Sequence, residues 1–224
     1  MSLRLASTAV ARREFQLFAR RKSDWANPLM FFVIVCSLFP FAVGSESERL
    51  RLIGVGVIFV GALLATLLTL PRLFDEDARD GSLDLLLSSN EPLAMLILAR
   101  VAALSFGIGA PLILAAPLFS FLYALPADVA LMLALGVAIA VPTLLLVGAI
   151  AAALLVSARG GAILTAVLVL PLTIPTLIFG AGAALKVLFG ESPVAELSLQ
   201  AAYLLFALAL SPLAASAALK ISTD

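Results

Sequence analysis

The chain alternates long apolar intervals with short polar breaks. Six intervals contain no Asp, Glu, Lys or Arg: Trp25–Ser45, Leu52–Pro71, Val101–Ala127, Val129–Ala158, Gly160–Leu185 and Leu197–Leu219. Each is between 20 and 30 residues long. A helix needs about 20 consecutive apolar residues to cross a bilayer core. The pattern therefore predicts an all-α integral membrane protein with six transmembrane helices, at about residues 26–45, 52–71, 101–123, 129–156, 161–185 and 198–219. Together they make one six-span transmembrane domain over residues 25–224. The first interval follows a long basic stretch and precedes five others, which fits a membrane anchor and not a cleaved signal peptide.

Residues 1–24 hold Arg4, Arg12, Arg13, Arg20, Arg21 and Lys22. Leu3, Ala6, Val10, Leu17 and Phe18 fall on one helical face there, with Glu14 near it. Two readings stand: an amphipathic helix lying on the cytoplasmic leaflet, or an ordinary basic tail. Orientation follows from the basic residues. With six spans and both termini cytoplasmic, eleven of the 14 lie inside: those six plus Arg72, Arg79, Arg100, Arg159 and Lys220. Arg49, Arg51 and Lys186 lie outside, and this asymmetry supports the arrangement.

Composition narrows the chemistry. Only 12% of residues are charged, 63% are hydrophobic and the net charge is zero, which excludes a soluble enzyme, a disordered chain and a nucleic-acid binder. There is no histidine to ligate haem or zinc or to shuttle protons. Cys36 is the single cysteine, so no intrachain disulfide forms. None of Lys22, Lys186 and Lys220 sits in a phosphate-cradling loop, so the chain is not expected to hydrolyse ATP by itself. The six intervals carry no titratable carrier for proton coupling. A sodium site made of carbonyls and hydroxyls stays open as an alternative, but the energy is expected to come from a partner.

Prolines interrupt several spans: Pro111, Pro117, Pro142, Pro171, Pro175 and Pro212. Leu168–Pro175 is the densest case, where Thr173 and Thr176 can bond back to carbonyls; a hinged or broken helix and a static kink are both open. Small residues line the second span (Gly54, Gly61, Ala65) and the fifth (Gly180, Gly182, Ala183), allowing close helix approach within a subunit or between two.

The long cytoplasmic segment is Arg72–Pro92. It gathers Asp75, Glu76, Asp77, Asp80, Asp84 and Glu91. Ser82 is the expected N-cap of a short helix with an apolar face of Leu83, Leu86 and Leu87, closed by Asn90 and Pro92. Such a helix suits docking into a groove on a soluble partner, the alternative being a linker lying in the interface.

Three blocks resemble the heme exporter protein B family, the membrane subunit of the ATP-binding-cassette system for cytochrome c maturation. They are Asn27-Pro28-Leu29 with Phe31-Phe32 and Leu38-Phe39-Pro40; Arg72-Leu73-Phe74 with Asp77 and Asp80-Gly81-Ser82-Leu83; and Arg159-Gly160-Gly161 with Leu168–Pro175. The resemblance covers essentially the whole chain. It implies an ABC-2-type permease in the bacterial inner membrane, working as two copies. The implied partners are two copies of a cytoplasmic ATPase subunit, a haem-handling membrane subunit, a very small membrane subunit and, indirectly, a periplasmic haem chaperone. It implies ATP bound by the partner, haem as the cargo or as the load of that chaperone, and no cofactor on this chain. A permease for another cargo, or an assembly subunit that transports nothing, remains the alternative. By likeness to the coupling helix of such transporters, Phe74, Asp77, Asp80, Gly81, Ser82, Leu83 and Leu86 are assigned to ATPase contact, with Asp77 and Asp80 meeting basic groups of the partner. Asn27, Pro28, Pro40, Pro171 and Pro175 are the candidates for the dimer seam and hinge.

Overall fold

A computed structural model describes residues 22–44, 46–83, 92–156, 158 and 161–223. No strand occurs among them. The elements are α1 (Lys22–Val43), α2 (Ser47–Leu67), a 3-10 turn (Leu70–Leu73), α3 (Asp75–Asp80), α4 (Leu93–Leu122), α5 (Ala127–Leu154), α6 (Gly161–Leu188) and α7 (Val194–Thr223). Six of these, α1, α2 and α4–α7, are long and apolar enough to cross a membrane. The proposed amphipathic stretch of residues 1–24 lies almost wholly outside the described residues.

Several helices run past their charge-free intervals. α4 starts at Leu93, eight residues before the predicted third span, with Pro92 as its N-cap. Proline is well placed there because the first turn of a helix needs no donor. Arg100, expected in a loop, is therefore inside α4 and buried. α2 stops at Leu67, short of the predicted end. Pro71 cannot donate to the Leu67 carbonyl, and the chain tightens into the 3-10 turn that Pro71 opens.

α5 is the centre of the bundle, packed against α2, α4, α6 and α7. Glycines set its closest approaches. A Cβ at Gly180 would stand 2.0 Å from Phe59 Cζ, and one at Gly136 would stand 2.9 Å from Phe59 Cε2. The Phe59 ring is thus wedged where α2, α5 and α6 meet. A Cβ at Gly54 would fall 2.6 Å from Tyr123 Cβ. Gly54, Gly61, Ala65, Gly180 and Ala183 are all buried inside this one chain. The small-residue faces serve packing within the subunit.

Each helix-interior proline leaves a carbonyl one turn back without its N–H. Pro40 in α1 frees the Cys36 carbonyl, and the Tyr123 hydroxyl donates to it at 2.8 Å. Tyr123 itself is fully buried. α6 runs unbroken through Pro171 and Pro175, so the broken-helix reading is set aside. Thr173 Oγ1 donates to the Leu170 carbonyl (2.7 Å) and the Tyr203 hydroxyl to that of Leu172 (2.9 Å). Thr176, expected to bond back likewise, is buried with its Oγ1 unpartnered among the described residues.

Tyr123→Phe is expected to cost about 1–3 kcal/mol, the usual penalty of a buried unsatisfied acceptor. The loss should shrink in a Pro40→Ala background, where residue 40 supplies its own N–H to Cys36. Unfolding of the two single variants and the double variant in detergent, against wild type, measures the coupling.

Candidate functional site

The site sits at the end of the bundle that carries the α2–α4 and α5–α6 connections. Leaving α2, the chain is fixed by Thr69, whose Oγ1 donates to the Thr66 carbonyl at 2.7 Å. Leu70 and Leu73 are then fully buried. A Cβ at Gly148 of α5 would lie 2.2 Å from Leu70 Cδ2, so the 3-10 turn presses directly on the central helix. Phe74 follows, 2% exposed. α3 then projects outward for six residues and ends at Gly81, whose φ of +75° reverses the chain. A side chain there would be strained, because L residues avoid the left-handed region.

The reversal is held by two side chains. The Ser82 N–H donates to Asp80 Oδ1 (2.9 Å), and Ser82 Oγ donates to Asp77 Oδ1 (2.8 Å). The other oxygen of Asp77 accepts from Arg100 Nη1 of α4 in a buried ion pair. Asp77 is 2% exposed and Arg100 is 9% exposed.

These positions revise the sequence assignment. Asp80 and Gly81 are exposed and Ser82 half-buried, as a docking tip requires. Phe74, Asp77 and Leu83 instead face inward. Asp77 cannot meet a basic group of another subunit, because Arg100 and Ser82 already occupy its carboxylate. Ser82 is itself helical, and its hydroxyl donates back to Asp77. Leu86, with Leu87 and Asn90, lies outside the described residues.

The α5–α6 connection also belongs here. Asp75, Ala78 and Arg79 of α3 line a cavity of about 300 Å³ with Leu155, Val156, Ala158 and Gly161. Burial raises the Asp75 carboxyl above its ordinary value, and the neighbouring Arg79 guanidinium pulls it the other way. The α2–α4 and α5–α6 connections, far apart in the chain, thus meet around one recess. Deeper in the bundle, α4, α5 and α7 border an apolar groove of about 490 Å³ lined in part by Val101, Ser105, Val141, Pro142 and Leu208. Among the described residues, no group of three His, Cys, Asp or Glu could hold a metal ion.

The seam candidates divide. Asn27 and Pro171 lie on the surface, Pro40 and Pro175 are half-buried, and Pro28 faces the interior. α1 and α6 are the least buried of the spans and expose Met30, Ile34, Leu38 and Phe41, and Ile163, Val167, Ile174 and Ile178, respectively.

Residues 5–222 match the CcmB protein family. The chain belongs to the CcmB family, the heme exporter B proteins. It is 45% identical to the heme exporter protein B of Pseudomonas aeruginosa over 94% of both chains. It is 42% identical to that of Paracoccus denitrificans over 96% of this chain and 98% of the relative. For Escherichia coli K12 the identity is 41% over 95% and 97%. The protein is thus a CcmB-family multi-pass membrane protein of the permease-subunit type. Arg100, the buried partner of Asp77, is the residue of this site that sequence reading placed in a loop. The available signal was a lone arginine flanked by apolar residues eight positions after Pro92, which in a helix needs an internal partner.

Proposed function

We propose that this CcmB-family chain is the permease subunit of an ATP-driven complex for c-type cytochrome biogenesis in a bacterial inner membrane. Its task is to couple hydrolysis by a cytoplasmic ATPase to haem export, or to release of a haem-loaded periplasmic chaperone. The observation that carries the reading is near full-length similarity to heme exporter B proteins. The exposed, reversed tip at Asp80–Gly81–Ser82 supplies a place for the ATPase to dock. Both termini lie in the cytoplasm in this reading, supported by the excess of basic residues at the tip-bearing end. The chain holds no cofactor of its own. ATP stays on the partner, and haem is cargo or a load passed between other subunits.

In the assembly we envisage two copies of this chain, two ATPase subunits, a haem-handling membrane subunit and a very small one. A twofold pair is the common closed arrangement. Asn27 on α1 and Pro171 on α6 mark the faces through which the copies meet. Cysteines at exposed α1 positions such as Asn27 and Leu38 should crosslink two copies; crosslinks confined to α4 or α7 would move the seam.

Docking has a direct test. Asp80→Lys, or Gly81→Trp with its strained φ, should reduce co-purification of the ATPase at least about tenfold, while the membrane yield of this chain holds. Full co-purification in both variants removes the tip from the interface. Reconstituted vesicles then separate the two outputs. ATP-dependent haem accumulation marks export, and chaperone release without accumulation marks an assembly role.

A further inference from the structure

We propose that the buried Asp77–Arg100 ion pair is the positioning contact that makes the docking tip and α4 move as one body. The inference rests on the docking reading above and adds the route by which a partner's motion enters the bundle.

The route is short and specific. At the tip, Asp80 holds the Ser82 N–H, and Ser82 Oγ holds Asp77. From Asp77 the next bond crosses to Arg100, 23 residues further along the chain and on a different helix. Among the described residues, the tip therefore reaches α4 through side-chain bonds. Arg100 is the eighth residue of α4, about 10 Å along its axis at 1.5 Å per residue. It shares a face with Leu104, Ile108 and Leu112, all buried against the core. A pull applied at Arg100 thus acts on the packed face of a helix of 30 residues.

Cohesion alone gives no reason for charges here. Two well-packed apolar side chains hold such a place at least as well, because taking an ion pair out of water costs about what the attraction returns. A charged pair adds direction. Its hydrogen-bonded geometry fixes one register between tip and helix, and it resists sliding, whereas an apolar contact slips. The second link from this segment is of the slipping kind: Leu70 against the Gly148 surface of α5. We read the polar link as the transmitter and the apolar one as the bearing.

The test uses the full complex, co-expressed with its ATPase and other membrane subunits. Four versions of this chain are compared: Asp77→Asn with Arg100→Met, Asp77→Arg with Arg100→Asp, Asp80→Lys, and wild type. ATPase co-purification reports docking, and the cellular level of mature c-type cytochrome reports output. The uncharged pair leaves an amide oxygen at residue 77 to accept from Ser82 Oγ, so it should keep the tip and the ATPase at wild-type yield, yet lower cytochrome output by about tenfold or more, the size of an ordinary coupling. The reversed pair should recover most of that output. Wild-type output from the uncharged pair overturns the proposal and leaves the ion pair a packing feature. Loss of ATPase from the uncharged pair also overturns it, since the charges would then shape the docking tip and not transmit from it. Retention of ATPase by Asp80→Lys sinks the docking reading instead, and that result is separate from the behaviour of the pair.

Discussion

Asp77→Ala is expected to destabilise the protein by about 3–5 kcal/mol, the usual cost of breaking a buried ion pair by removing one member. Arg100 keeps its guanidinium inside the bundle, 9% exposed, after its carboxylate is gone. Ser82 Oγ loses its acceptor at the same time. The apolar pair Asp77→Leu with Arg100→Met should fall within about 1–2 kcal/mol of wild type, because the Asp77–Arg100 ion pair is then replaced as a unit by apolar side chains. Denaturant unfolding in detergent distinguishes these outcomes. An equal loss in both would mean that the side chains' shape, and not their charge, governs stability at this point.

The second large effect concerns close packing. Gly54→Leu should prevent α2 from reaching its native place. Even a methyl at residue 54 would lie 2.6 Å from Tyr123 Cβ. That atom is one bond from the backbone, so it cannot swing aside. Overpacking of this kind usually costs about 1–3 kcal/mol, and a whole isobutyl group goes beyond it. Gly56→Leu is the control, since nothing stands within 4 Å of a Cβ there. Folded yield by size-exclusion chromatography should collapse for residue 54 and hold for residue 56. Equal yields would show that the helices have room to shift.

The architecture was legible because it depends on the least subtle property of the chain. Charge-free intervals must be as long as a bilayer is thick, and six of them are. Helix ends were read less well. Charges are tolerated within the first turn, so α7 begins before its apolar interval, and α4 does so because Arg100, its eighth residue, is paired with Asp77. The reversal at Gly81 fits its residue type, since glycine takes a φ of +75° without strain. Asp77 was not legible as buried. Its neighbours Asp75 and Asp80 suggest one acidic, solvent-facing cluster, and only the fold shows that one of the three points inward at Arg100. Pairings across 23 residues, or across 87 as with Tyr123 and Cys36, leave no local periodicity to detect.

Pro40 in α1 also sets a schedule for biosynthesis. Cys36 waits for a hydroxyl that lies 87 residues downstream. At the usual ~5–20 residues per second, that separation is about 4–17 s of synthesis. Over that interval the first helix has a carbonyl that its own backbone cannot satisfy. Its final seat is fixed only when the end of α4 emerges. The protein therefore closes its first span late, and a helix from elsewhere has that time in which to offer the missing hydrogen bond first.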